Sequence, residues 1–231
     1  MEEKRIKQVK KMIGARKLIA ERMATSLRDY PQGTGCKKIC MDEILALKDE
    51  LKKQNENVSV TSILIKLAAA ALQENPQLNS AVINNELIIY DSVNIGVGIG
   101  LPEGIMLVVI KEAQDKDIFQ ISEELQRLIT QLKSRKINFK DMQGSTFTLS
   151  NIGMFDLDEV TPFLSPPETA ILSVGATRKM HVVNDDDTTS IKRMATFCTT
   201  VNHAAVDGMH GGKFLMTFTK LANKPKEYMG L

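Results

Sequence analysis

The sequence predicts an α/β protein built as a two-layer sandwich, with a mixed sheet and helices on one face. Three observations lead there. Helical periodicity dominates the early part of the chain while short β-branched runs cluster later, so the regular strand–helix alternation of a doubly wound sheet is missing. The helix expected over Ile63–Leu72 is apolar nearly all round and must be buried among other elements. The 231 residues are 43% hydrophobic and 25% charged, enough for one large domain with a sizeable core.

Residues 1–14 read as a basic N-terminal arm or linker, and residues 15–231 as one domain. Seven of the first 17 residues are Lys or Arg, the pattern of a solvated segment. Arg16 to Arg28 carries Ile19, Met23 and Leu27 on one helical face. Tyr30-Pro-Gln-Gly-Thr-Gly35 has loop chemistry. Asp42 can cap a helix running to about residue 54, and Thr61 one running to the Asn75-Pro76 stop. Strands are expected at Glu86–Tyr90, Val93–Ile99 and Ile105–Ile110, followed by a helix over Ile118–Lys136 with Ile118, Ile121, Leu125, Leu128 and Leu132 in one stripe. Further strands are expected at Thr146–Leu149, Ala170–Val174, Met180–Val183 and Met194–Val201, with a hairpin turn at Asp185–Asp187. A last helix should run from Met209 toward Leu221.

Composition narrows the function. A net charge of +2 argues against nucleic acid or an anionic membrane as main partner, and the arm has no aromatic residue interleaved with its charges. No apolar run reaches the length of a bilayer span, and the N-terminus is too charged for a secretory signal. Three cysteines, Cys36, Cys40 and Cys198, give an odd count without a second ligand pair. Neither a zinc site nor a disulfide framework is expected from them, and free thiols suit a cytoplasmic location. His181, His203 and His210 do not fall at metal-ligand spacing, so no metal is expected. Gly96-Val-Gly-Ile-Gly100 lacks the last glycine of a dinucleotide loop and reads as a strand where a backbone or ligand comes close. Gly211-Gly-Lys213 lacks the remaining residues of a phosphate loop.

Chemistry concentrates in Val201-Asn-His-Ala-Ala-Val-Asp-Gly208, at a strand end before the last helix. There His203 can present its ring at the edge of the sheet, where loops carry function, and Asp207 can orient the turn. A second segment joins it: Gly144-Ser-Thr-Phe-Thr-Leu-Ser-Asn-Ile-Gly-Met-Phe155, with Ser165-Pro-Pro-Glu-Thr-Ala-Ile-Leu-Ser-Val-Gly175 after it. Together with Arg16-Lys-Leu-Ile-Ala-Glu-Arg-Met23 and Leu101-Pro-Glu-Gly-Ile105, these blocks resemble, in order, the catalytic domain of the dihydrolipoamide acyltransferases of 2-oxoacid dehydrogenase complexes. That family shares its fold with chloramphenicol acetyltransferase.

The resemblance implies a chloramphenicol-acetyltransferase-like sandwich and a coenzyme A-dependent acyltransferase. It implies that His203 takes the proton from a thiol, that Ser150 donates a hydrogen bond to the tetrahedral oxyanion, and that Asp207 is chiefly structural, pairing with Arg16 as in the chloramphenicol branch. It also implies coenzyme A or acetyl-CoA as substrate and a lipoyl group carried on another chain or domain. The expected assembly is a homotrimer, with further cubic assembly possible to the family, in which His203 of one subunit faces Ser150 of the next. Other 2-oxoacid dehydrogenase components and a lipoyl-bearing protein are the implied partners. The Ser150–Phe155 stretch resembles pyruvate-type cores, which makes acetyl the expected acyl group.

Two features depart from the family. Asn202-His203-Ala204 replaces the usual Asp-His-Arg, although alanine after the histidine also occurs in the chloramphenicol branch. The N-terminal lipoyl and subunit-binding domains are not in this sequence. A stand-alone acetyltransferase acting on a small molecule, a non-catalytic scaffold, and a relative of peptide-synthetase condensation domains are the other readings.

Independent chemistry agrees. A free thiol with a pKa near about 8.5 is only a few per cent thiolate at neutral pH, so a neighbouring neutral imidazole is a useful base. Thioester exchange between thiols needs one base, one oxyanion donor and positioning.

Overall fold

The structure, a computed structural model, describes residues 5–54, 56–101 and 104–231. In chain order it contains α1 (Ala15–Asp29), β1 (Gln32–Cys40), α2 (Asp42–Lys53), α3 (Val60–Glu74), β2 (Ser80–Ile83), β3 (Glu86–Ile89), β4 (Ile95–Leu101) and β5 (Gly104–Ile110). Then follow α4 (Ile118–Lys133), β6 (Phe147–Asn151), β7 (Ala170–Val174), β8 (Arg178–Val183), β9 (Thr189–Asn202), α5 (Gly208–Ala222) and α6 (Pro225–Met229).

The main sheet runs β1-β9-β7-β6-β4-β5, with β8 also paired to the first half of β9. The β4–β6 and β6–β7 pairs are parallel and the others antiparallel, so the sheet is mixed as expected. β2 and β3 form a separate two-stranded sheet.

Alternation along the strands divides the sheet into two faces. Ile95 and Val97 of β4, Phe147 and Leu149 of β6, Ala170 and Leu172 of β7, and Phe197 and Val201 of β9 belong to one core with the helices. α3 lies at its centre and packs on α2, α4 and α5. Its residues from Ser62 to Leu72 are buried except Lys66, because Ala68–Ala71 and the surrounding Leu and Ile leave no polar stripe. Ser59, not Thr61, caps it, accepting from the Ser62 amide at 3.0 Å. Phe214 and Phe218 pin α5 to the sheet through Phe147 and Phe197, with ring centroids 5.5 and 5.1 Å apart. Each such pair contributes about 1 kcal/mol beyond its buried area.

The opposite face carries Gly96 and Gly98, Thr148 and Ser150, Ser173, and Cys198. Residues 156–166 cross it. Ser173 Oγ donates to the Val160 carbonyl at 2.7 Å, and Ser26 Oγ of α1 donates to the Leu164 carbonyl at 2.8 Å. Among the described residues, no helix is long and apolar enough to cross a membrane.

Several expectations change. Gln32–Cys40, half of it read as loop, is the edge strand β1, held along its whole length by β9. Ladder pairing overrides the weak strand propensity of Gln32-Gly-Thr-Gly35. The expectation of free thiols is corrected as well: Cys36 and Cys198 are opposed in that ladder and joined as a disulfide, leaving Cys40 free. Asp42 is the first residue of α2 rather than its cap, and its carboxylate accepts from Arg193 Nε at 2.6 Å. α4 stops at Lys133 rather than Lys136, with Arg135 beyond it in the left-handed region at φ 58°. The arm is exposed and irregular over residues 5–13. Its first four residues, and Pro102 and Glu103 of the Leu101–Ile105 block, lie outside the described residues.

Candidate functional site

His203 is set by the end of β9. Its amide donates to the Pro31 carbonyl at 2.7 Å, which ties the turn to the start of β1. The buried Asn202 organises the same turn: its Oδ1 accepts from the Ala204 amide at 3.2 Å, and its carbonyl accepts from Ala205 and Val206 at 3.0 and 2.9 Å. Gly33 of β1 seats the ring. A Cβ there would stand 3.0 Å from His203 Cδ2, tighter than ordinary contact. The imidazole is exposed and makes no hydrogen bond to another described residue. Asp207 precedes α5, and its amide donates to His210 Nδ1 at 3.2 Å.

Ser150 stands on β6, half-buried, on the face away from the helices. Its hydroxyl has no hydrogen-bond partner among the described residues. Gly98 faces it, and a Cβ on Gly98 would lie 3.7 Å from Ser150 Oγ. The neighbouring glycines work alike: Gly96 leaves room for Ser145 and Gly100 for the Phe155 ring, 3.0 and 3.1 Å from added Cβ atoms. The glycine run is therefore a strand, as expected, and what comes close to it is side chains rather than backbone. Just after Ser150, Asn151 accepts from the Gly153 amide and donates to Thr61 Oγ1, both at 3.1 Å, which fixes the strand end.

Within one chain the two residues do not meet. Ser150 is level with Ser173, and Ser173 with Cys198, five residues before His203. Two strand spacings and five residues place them about 19 Å apart. Arg16 is also elsewhere than expected. Its guanidinium lies against Gly104 of β5, with Nη1 3.5 Å from the position of an added Cβ, while Asp207 follows β9 four strand positions away. No Arg16–Asp207 ion pair forms among the described residues, because α1 sets Arg16 beside Gly104 of β5.

Sequence reading missed Glu168. It is 2% exposed and accepts from Ser145 Oγ and, at 2.6 Å, from Thr148 Oγ1, two residues before Ser150. Burial pushes its carboxyl up to about 7, against the two hydroxyl donors and the nearby Arg22. The signal was an acid between two prolines and the apolar Ala170–Val174 run.

The family model described as 2-oxoacid dehydrogenases acyltransferase (catalytic domain) matches residues 4–230. The dihydrolipoyllysine-residue acetyltransferase component of the pyruvate dehydrogenase complex of Rickettsia conorii is 30% identical over 215 residues, covering 91% of this chain and 52% of that protein. The chain thus spans about half the length of the curated relatives it matches. A structure of Azotobacter vinelandii dihydrolipoamide acetyltransferase, described for the role of a serine, a histidine and an asparagine in its catalytic mechanism, is 25% identical with a TM-score of 0.90, covering 98% of this chain and 95% of that one. The cubic core of a pyruvate dehydrogenase multienzyme complex is 25% identical with a TM-score of 0.89 and the same coverage. Chloramphenicol acetyltransferase, 13% identical with a TM-score of 0.57 over 87% of this chain and 94% of that one, shares the fold.

Proposed function

The chain belongs to the family of 2-oxoacid dehydrogenase acyltransferase catalytic domains, and we propose that it transfers an acyl group, acetyl in the first instance, between coenzyme A and a thiol of the dihydrolipoamide type. The catalytic domain is residues 15–231, preceded by the basic arm of residues 1–14. His203 is the general base and Ser150 the oxyanion donor, supplied by a neighbouring copy in a homotrimer. Asp207 holds the turn that carries His203.

The observation that carries this reading is the placement of two polar groups that make no hydrogen bond among the described residues, the His203 ring seated on Gly33 and the Ser150 hydroxyl facing Gly98. The residues studied in the Azotobacter protein are a serine, a histidine and an asparagine four positions past the histidine. Ser150, His203 and Asp207 follow the same order, with the aspartate four positions past the histidine.

In the reaction, the thiol sulfur attacks the thioester carbonyl as His203 removes its proton. Negative charge grows on the carbonyl oxygen, where the Ser150 hydroxyl meets it. Collapse expels the other sulfur, which takes the proton back from His203. Exchange of one thioester for another is nearly thermoneutral, so positioning and charge stabilisation are what the protein must supply.

The lipoyl group would arrive on another chain or domain, alongside other 2-oxoacid dehydrogenase components, and the family relation to a cubic core supports assembly beyond the trimer. A cytoplasmic location suits a reaction that draws on acyl-CoA. The test is a turnover assay with acetyl-CoA and dihydrolipoamide, following S-acetyl dihydrolipoamide and free coenzyme A. His203→Ala should lower kcat by about 10²–10⁴ with the fold intact. Activity within a few-fold of wild type, or no transfer to the dithiol by wild type, overturns the reading.

A further inference from the structure

A transverse row on the open face of the sheet links Ser150 to the disulfide. The ladders pair Ser150 with Ser173, Ser173 with Cys198, and Cys198 with Cys36. Residues level with one another on adjacent strands project from the same face, and two strand spacings put Ser150 and Cys198 about 10 Å apart. Cys198 is buried at 1% exposure, whereas Cys36 is exposed. The Glu159 carboxylate and both sulfurs lie within 4.8 Å of one another. The Ser173 hydroxyl holds the segment carrying Glu159 over the row through the Val160 carbonyl.

We infer that the Cys36–Cys198 disulfide is a second reactive site, which accepts two electrons from a small dithiol of the dihydrolipoyl class by thiol–disulfide exchange. The choice of dithiol rests on the acyl acceptor proposed above. Attack is confined to Cys36, because Cys198 is covered. A ligand thiolate bonds to Cys36 Sγ, the Cys36–Cys198 bond breaks, and Cys198 leaves as a thiolate that takes up a proton. The second ligand thiolate then attacks the ligand sulfur of the mixed disulfide. The ligand closes to its cyclic disulfide, and Cys36 leaves as a thiolate and is protonated in turn. Two electrons and two protons have moved from ligand to protein.

This chemistry favours a dithiol. Its second sulfur is tethered at an effective concentration on the order of millimolar or more, whereas a monothiol leaves a mixed disulfide awaiting another encounter. The Glu159 carboxylate beside both sulfurs disfavours their thiolates, which slows exchange at the pair in either direction. One dithiol is consumed per chain.

The experiment uses the full chain purified without reductant. Anaerobic dihydrolipoamide is added, free thiols are alkylated, and Cys36, Cys40 and Cys198 are mapped by mass spectrometry while lipoamide is measured. Before addition only Cys40 should be alkylated. Afterwards all three should be, with about one lipoamide formed per chain. A monothiol at equal sulfur concentration should react at least about tenfold more slowly. Cys36→Ser should abolish lipoamide formation and leave acyl transfer intact, while His203→Ala should do the reverse. Glu159→Gln should speed re-oxidation of the reduced pair several-fold. Alkylation of Cys36 and Cys198 in the untreated protein overturns the proposal, as does a disulfide that survives excess dithiol. Both results come from wild type and are independent of how any variant folds. Exchange without acyl transfer sinks the proposed function alone, and acyl transfer without exchange sinks the disulfide site alone.

Discussion

Ser150 and His203 lie on one sheet, two strands and five residues apart, and their side chains cannot reach a common atom within a single chain. A shared site therefore needs two copies. Mixing His203→Ala and Ser150→Ala chains, unfolding them and refolding them together should restore activity, since random assembly leaves about a quarter of the interfaces of a cyclic trimer wild type. Mixed trimers, verified by mass spectrometry, that are no more active than the separate mutants would rule the shared site out.

Ser150→Ala should lower kcat by about 10²–10³ with little change in KM, because its hydrogen bond strengthens only as the oxyanion forms. Steady-state kinetics in both substrates separate the two parameters. A change confined to KM would assign Ser150 to ground-state binding.

Gly175 follows β7 where residues 157–158 cross the sheet. A Cβ added there would overlap the Asp158 carbonyl oxygen, a backbone atom that cannot swing aside. Gly175→Ala should cost about 2–4 kcal/mol in urea unfolding. Gly35→Ala, whose Cβ would meet nothing within 4 Å, is the control and should shift stability by under about 1 kcal/mol. Equal stabilities would show that the 156–166 crossing yields without cost.

Glu168 ties stability to pH. Its carboxyl is raised from 4.5 to about 7 in the fold, so the native state holds the proton more tightly than the unfolded chain. The stabilisation is complete below about pH 4.5 and is lost as pH rises through about 7, some 3 kcal/mol in all on an order-of-magnitude scale. Glu168→Gln removes the ionisation. Its stability should gain on that of wild type between pH 5 and 8, approaching or exceeding it at the upper end. Parallel stability–pH curves for the two proteins would show that Glu168 does not titrate there.

Elements with a strong local signature were legible in the sequence. α3 announced itself by apolar residues on every side and ended at Glu74, just before Asn75-Pro76. α1, α5 and the hairpin turn at Asp185–Asp187 fell close to their expected places. His203 and Ser150 enter the candidate site through blocks of neighbouring residues. What depended on distant pairing was not legible. β1 is a strand because β9 lies beside it, and the Cys36–Cys198 bond joins residues 162 positions apart. Arg16 could not be placed from sequence, because its position beside Gly104 depends on how α1 sits against a strand some 90 residues later. Glu168 stood within a recognised block, but its two hydroxyl donors come from a different strand and its approach.

The lateness of β9 has a consequence during synthesis. β1 emerges before β9, the strand it pairs with among the described residues, which arrives some 160 residues later. At about 5–20 residues per second, the ribosome leaves β1 waiting on the order of ten seconds or more with its edges bare. A strand rich in valine and isoleucine would be a template for other nascent chains in that interval. β1 instead offers Gln32, Gly33, Thr34, Gly35, Lys37 and Lys38, with Ile39 its one large aliphatic residue. The composition that makes β1 hard to recognise as a strand also lets it wait in water without aggregating until β9 is released.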